Sequence, residues 1–511
     1  MIHALEILGV LALIVGAGGA IGTWLQRDTV DAPLGIGWAF LLGAAFVGGL
    51  LHISLAISGT LPRYMFVITT VLCGGLTAIF LYRRIHVGHW LFERRRGWLF
   101  DLPLILRWCV CVTLVSAFGS AIVTPPNTYD GRAAFALKAR VMYDTGTIHN
   151  EDFDDVNRLH FNSHYPLLIS LLEAEMFWAE GAMDDTSIRL LFAMFVVSLL
   201  TVVTGELRRH VGRLGAALWG MFLVCTPYVI SCYEGGGLSS SVDIPFACFA
   251  TAGIVELGHW LRKENWCRGL TAGLLLGAAC LTKSEGTIWL VAIVAATGIV
   301  VVWKRKKIAA PFAVSRWMTA VPGVAILLGL LALSTLARRE IPFSPYLRSY
   351  SQAIRADWLV QVWHRPIEIA QYTAQEYLNI GRWGLVWPCF LGGCLFLRRR
   401  TVASTEIRLA QLASLFVALL YFGIFVITPY HLQFHLRTAL CRLTLHFFPL
   451  MTLAFAEHVH SSGLFANLAT LAQYKSKTRP KILVEETDST KDVAHNVVPL
   501  TFSEPLRRKA G

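Results

Sequence analysis

The chain has 511 residues, 55% of them hydrophobic and 15% charged, with a formal net charge of +12 and a mean hydropathy of +0.55. Soluble globular proteins carry about 25% charged residues, so composition excludes a soluble domain and predicts an all-α polytopic membrane protein. The positive excess falls in short clusters between apolar runs, which is a topology pattern and not a nucleic-acid surface.

A run of about 20 apolar residues crosses a hydrocarbon core of about 30 Å. About thirteen such spans are expected, at 5–22, 35–58, 64–82, 103–124, 188–207, 214–232, 244–261, 269–282, 286–303, 320–337, 383–397, 407–428 and 441–458. Residues 1–102 carry three N-terminal spans, 103–458 form the core, and 459–511 are a polar tail expected to be cytoplasmic and disordered. The first apolar run lacks a basic leader and a small-residue cleavage site, so no removable signal peptide is expected. The 11 cysteines are scattered, several inside apolar runs, with no CxxC pair or zinc spacing. They read as small core residues.

The connections "RRIHVGHWLFERRR" (83–96), "RRHVGR" (208–213), "RKENWCR" (262–268), "KRKK" (304–307) and "RRR" (398–400) are all basic. They share one side if the spans alternate, and that side is the cytoplasm. The opposite side receives the insert 125–187, "YEGGGLSSSVD" (233–243), "TKSEG" (282–286), the loop 338–382 and "TPYHLQFHLRTALCR" (428–442). Five unusual loops converging on one outer surface predict a site there.

The insert opens after Pro125 and Pro126, which end the fourth span. "DGRAAFALKARVMYDTG" predicts a short helix with Asp130 at its start, where a carboxylate suits the helix dipole, and Gly146 as its stop. Ala134, Leu137 and Val141 make a stripe, so this helix is expected to lie along the membrane. Next comes "EDFDDVNRLHFNSHYP", with Asp154 and Asp155 near His160 and His164, and then an amphipathic run from 167 to about 179.

These residue types suit group transfer from a lipid-bound phosphate. A carboxylate can take a proton from an attacking hydroxyl, or hold a metal that steadies the leaving group. Cations grip phosphate, arginine in two-pronged fashion. Lys138, Arg140, Lys283, Arg437 and Arg442 are the outer-side candidates, and snorkelling to lipid headgroups is their bland alternative.

The segments "YDGRAAFALKARVMYDTG", "HFNSHYPLLISLLEA", "GGGLSSSVDIPFACF", "LTKSEGTIW" and "TPYHLQFHLRTALCRLTLHFFP" resemble, in order, those of multi-spanning GT-C glycosyltransferases. That group includes protein O-mannosyltransferases and bacterial aminoarabinose transferases of lipid A, and the nearest likeness is to bacterial family 39-like glycosyltransferases. The resemblance implies a polyprenyl-phosphate sugar donor and inverting transfer on the periplasmic face of the plasma (inner) membrane. The acceptor would be a glycan, a lipid or a protein. It makes Asp130 the key carboxylate and Lys283 the first choice for the donor phosphate. His164, Tyr165, Asp243 and Glu285 match segments that also carry roles. A divalent metal stays open, as the resemblance does not fix it. Several relatives have two adjacent acids in the first loop; here Gly131 follows Asp130, leaving Asp154 or Asp155 to supply a second carboxylate, or none. Relatives also place this loop after their first span, whereas here it follows the fourth.

A transporter or flippase for lipid-linked sugars would show internal repeats and broken helices near the midplane. No repeat is visible, and the polar residues fall in outer loops. An O-antigen polymerase or ligase would place its large loop late in the chain. A membrane scaffold would not need Asp130 and Lys283 at converging positions.

Overall fold

The computed structural model describes residues 2–25, 35–86, 101–123, 125–126, 128–148, 151, 165–186, 188–307, 318–339, 362–397 and 403–464. Among them every regular element is helical, and the one β-bridge, Thr60 to Thr147, is isolated. Helices α1 (Ile2–Leu25), α2 (Ile36–Ser58), α3 (Arg63–His86) and α4 (Leu104–Val123) come first. A π-helical segment (Asp130–Ala136) runs into α5 (Leu137–Thr145), followed by α6 (Leu168–Glu180) and α7 (Arg189–Val224). Then come α8 (Asp243–Lys263), α9 (Trp266–Thr282), α10 (Glu285–Lys307) and α11 (Val321–Ala337). The order closes with α12 (Arg365–Tyr377), α13 (Ile380–Trp383), α14 (Val386–Phe396), α15 (Thr405–Val426) and α16 (Leu432–Ser461).

Eight of these (α1, α2, α3, α7, α8, α10, α15 and α16) are long and apolar enough to cross a membrane. The shorter apolar helices α4, α9, α11 and α14 fall where further spans are expected. Residues 1–464 form one compact unit, and of the tail expected over 459–511 the part from 465 onward lies outside the described residues.

The spans expected at 188–207 and 214–232 appear as one helical run broken at Gly212, whose φ of +73° leaves helical geometry. Arg189 donates to the Leu238 carbonyl at one end of the bundle, while Arg208 and Arg213 both pair with Asp101 at the other. The chain therefore reverses at Gly212. The second arm is shorter than expected, because Pro227 cannot continue the helix and a 3-10 turn (Pro227–Ile230) replaces it.

The end that carries Asp101 is crowded with ion pairs. His259 sits between Glu206 and Glu406 at 3.0 Å from each, Arg262 pairs with Glu406 at 2.6 Å, and Arg268 reaches Glu256 at 2.6 Å. These pairs join α7, α8, α9 and α15, so the basic 208–213 and 262–268 connections share one end.

The three N-terminal helices grip the insert. The Leu61 N–H donates to the Gly146 carbonyl at 2.5 Å, and Thr147 Oγ1 donates to the Gly59 carbonyl at 2.9 Å. Beneath this, Thr69 and Thr70 of α3 donate to the buried Glu175 carboxyl of α6. Helix α6 is buried almost all round, from Leu168 through Phe177, so the amphipathic run expected there is an interior helix instead. Its polar residues Glu173 and Glu175 are buried with the rest.

Candidate functional site

The insert helix begins and ends as expected. Val123 closes α4 before the two prolines, helical geometry starts at Asp130, and Gly146 stops α5 at φ +69° with its N–H on the Met142 carbonyl. Its first turns are π-helical, with the Leu137 N–H reaching back to the Arg132 carbonyl. The i→i+5 pattern shifts the angular phase of α5, and such segments favour functional sites. The buried stripe is accordingly Ala134, Phe135, Lys138, Ala139 and Met142, while Leu137 and Val141 are half-exposed. Nor does Asp130 cap the helix. Thr128 Oγ1 accepts from the Gly131 N–H at 3.3 Å and donates to the Ser239 carbonyl at 2.6 Å, which leaves the Asp130 carboxylate for other work.

That carboxylate lies 2.5 Å from Arg442 of α16. Arg442 Nε donates in turn to Asp243 Oδ2 at 3.0 Å, and its other arm comes within 3.9 Å of Glu234. Asp243, the first residue of α8, is fully buried, and its Oδ1 accepts from Lys283 at 2.7 Å and from His446 Nε2 at 2.9 Å. Lys283 also reaches Glu285 at 3.1 Å. Four carboxyl groups thus share two cations. The ensemble is layered: Asp130, Arg442 and Glu234 face outward, while Asp243, Lys283 and His446 lie beneath.

Local sequence explains how these groups meet. "YEGGGLSSSVD" folds as a tight knot in which Tyr228 Oη donates to the Glu234 carbonyl at 2.5 Å and Ser241 Oγ donates to Glu234 Oε1 at 2.9 Å. Gly235 holds φ +86° against the Arg442 side chain, where an added Cβ would come within 2.5 Å of Cγ. Both the backbone angle and the contact demand glycine. Gly235→Ala is expected to cost about 1–3 kcal/mol and to displace Arg442. A melting curve unchanged from wild type would contradict this.

Electrostatics in the loops follow from burial and neighbours. Burial pushes the Glu234 carboxyl up, Asp130 beside it adds to this, and Arg442 opposes. Burial works against the Lys283 charge, but Asp243 and Glu285 outweigh it and hold the ammonium above the ordinary lysine range. Lys138 is fully buried beneath the insert, its Nζ 5.7 Å from the Tyr165 ring centre and 5.8 Å from that of Phe135. Burial lowers its pKa to about 7, the Arg338 charge acts the same way, and Asp130 opposes both. Tyr165 is pushed up by burial first and then by Glu285 and Asp130.

Of the residues expected from sequence, Asp130, Asp243, Lys283, Glu285 and Arg442 meet in one cluster, with Tyr165 in electrostatic reach. Arg140 is held elsewhere, its Nε 3.0 Å from Asp185. Arg437 is exposed, with Nε 3.4 Å from Tyr372 Oη. Asp154, Asp155, His160 and His164 lie outside the described residues. Sequence reasoning missed Glu234, His446 and Tyr421. His446 stands four residues after Arg442, a spacing that shares a helix face and could have flagged it. Tyr421 sits in an apolar run with no such signal.

The polar groups were expected in loops only, and this is corrected: Asp243, Glu285, Arg442 and His446 all belong to helices. The helices start or pass just where the loops meet them, so loop motifs and helix ends form one surface. Comparison of the chain with protein-family models, with curated proteins and with solved structures finds no match to any of them.

Proposed function

We propose that this protein is an integral membrane glycosyltransferase that moves a sugar from a polyprenyl-phosphate donor to an acceptor at the outer face of the plasma membrane. The observation that carries this reading is Asp130, presented by the insert against Arg442 and backed by the buried Asp243–Lys283 pair. Ionisable side chains are costly within a membrane and mark functional sites. We read about thirteen spans, counting the shorter helices and both arms of α7, and with the basic connections toward the cytoplasm this reading supports an extracytoplasmic position for the site.

The chemistry runs in one displacement. The acceptor hydroxyl attacks the anomeric carbon, the bond from that carbon to the phosphate oxygen breaks, and polyprenyl phosphate leaves with the electron pair. Asp130 takes the hydroxyl proton. An incoming phosphate competes with Asp130 for Arg442, so donor binding frees the carboxylate as it seats the leaving group. Lys138 lies in electrostatic reach of Asp130 and adds positive charge there when it is protonated. Among the described residues no three His, Cys, Asp or Glu side chains are grouped to hold a metal ion. Asp130 and Asp243 are engaged by Arg442 and Lys283.

The test is turnover by the purified protein of a panel of radiolabelled polyprenyl-phosphate sugars, with glycan, lipid and protein acceptor fractions, with and without EDTA. Release of polyprenyl phosphate is expected, and EDTA sensitivity would reveal a metal requirement. A second reading, a flippase or transporter for polyprenyl-linked glycans, gains from the placement of Asp243, Arg442 and His446 within helices. Donors left intact by a folded protein that moves them across vesicles would favour it. Polymerisation or ligation of such glycans would instead show as glycan growth in the same assay.

A further inference from the structure

Beneath the Asp130–Arg442 pair runs a hydrogen-bond chain that the transfer step does not use. Trp289 Nε1 donates to Tyr421 Oη at 2.8 Å, Tyr421 Oη lies 2.8 Å from His446 Nδ1, and His446 Nε2 lies 2.9 Å from Asp243 Oδ1. All four side chains are buried, and His446 is 0% exposed. They come from four helices: α10, α15, α16 and α8.

Donor and acceptor counting gives this chain a direction. The Trp289 indole can only donate, so Tyr421 Oη accepts from it. The Tyr421 proton then needs an acceptor, and His446 Nδ1 is the one within reach among the described residues. Nδ1 must therefore carry a lone pair, and the ring proton sits on Nε2, where the Asp243 carboxylate accepts it. With Nε2 a donor, the 3.4 Å approach of Lys283 Nζ to the same nitrogen is a contact between two donors, and Lys283 spends its proton on Asp243 instead. Asp243 thus receives three donors, from Lys283, His446 and Arg442, with Oδ2 left to Arg442. The charged or titratable groups facing His446 are Asp243, Lys283, Glu285 and Tyr421, and the Phe246 ring closes a further side at 4.7 Å.

We infer that His446 and Tyr421 are positioning residues of the candidate site: Tyr421 locks His446 as a neutral Nε2–H donor, and His446 pins the Asp243 carboxylate that aims Arg442 at Asp130. Buried as they are, neither side chain meets substrate. Their influence passes through one oxygen of Asp243 while the other holds the arginine. Rotation of that carboxylate would swing Arg442 away from Asp130. The catalytic consequence rests on the proposed transferase reading, but the tautomer does not.

Two measurements test the inference. In the first, the protein labelled with 15N-histidine is compared by NMR with His446→Gln, so that the signal lost in the variant is that of His446. A protonated Nε2 and an unprotonated Nδ1 are expected in wild type, with the proton redistributed between the two in Tyr421→Phe. A proton fixed on Nδ1 in wild type would overturn the assignment, whatever the protein's activity. In the second, kcat/KM for donor turnover is compared for His446→Leu, His446→Gln and Tyr421→Phe. His446→Leu removes a hydrogen bond to a charged group and should lose about 10–100-fold, mostly in kcat. The glutamine amide can still donate to Asp243, so it should recover most of that loss, and Tyr421→Phe should lose about fivefold. Activity within twofold of wild type in both the leucine and phenylalanine variants would refute the positioning role. Should His446→Leu fail to fold, the Tyr421→Phe and His446→Gln pair still decides. If wild type turns over no donor, the transferase reading falls and the spectroscopic arm alone judges this inference.

Discussion

Asp243→Asn is expected to destabilise the purified protein by about 3–5 kcal/mol and to eliminate activity. The carboxylate is fully buried and accepts from Lys283, His446 and Arg442. An amide would turn one of its donors toward these groups and leave the Lys283 ammonium to lean on Glu285. Breaking a buried pair costs far more than the pair itself contributes, because an uncompensated charge stays in a dry setting. Thermal melting in detergent reads the loss. A double variant that also carries Lys283→Met should recover part of it, because the stranded ammonium is gone. Equal melting of wild type and Asp243→Asn would show that the cluster is wetter and looser than its distances imply.

Asp130→Asn should separate chemistry from folding. Asp130 sits at the accessible edge of the cluster with its side chain 16% exposed, and Arg442 keeps Asp243 when it is gone. The melting shift should stay within about 2 kcal/mol. Transfer should fall by about 100- to 10,000-fold, the usual worth of a positioned general base. The comparison with Asp243→Asn is the informative part: one variant silent in folding and dead in turnover, the other damaged in both. Full turnover by Asp130→Asn would remove that carboxylate from the mechanism and shift attention to Glu234, the other partly exposed carboxyl beside Arg442.

Much of this was legible in the chain, for reasons that can be named. Apolar runs of spanning length fix where helices form, and the prolines at 125 and 126 and the glycine at 146 mark the insert's limits, because both act on the backbone itself. Charge sorting by loop was legible too, and on its own it brings Asp130, Lys283 and Arg442 to one end. What could not be read was angular. The π-helical start of the insert turned Lys138 inward, and nothing in "DGRAAFALK" announces that change of pitch. Helix α6 was expected to be amphipathic, yet its Glu175 is turned inward and finds its partners on α3, more than a hundred positions away. Tyr421 was invisible for the same reason: its role depends on what α16 and α10 bring beside it.

The order in which the chain is made gives the cluster a second meaning. The seat for the insert, at residues 59–61, is synthesised before the insert that docks on it. The carboxylates of Asp130 and Asp243 then wait for Arg442 and His446, which arrive only with the last described helix. Until α16 enters, Asp130 is present without Arg442, while Asp243 and Glu285 have Lys283 alone. The last described helix thus supplies the arginine that joins Asp130 to Asp243, so the cluster is assembled only after every other described element has been made.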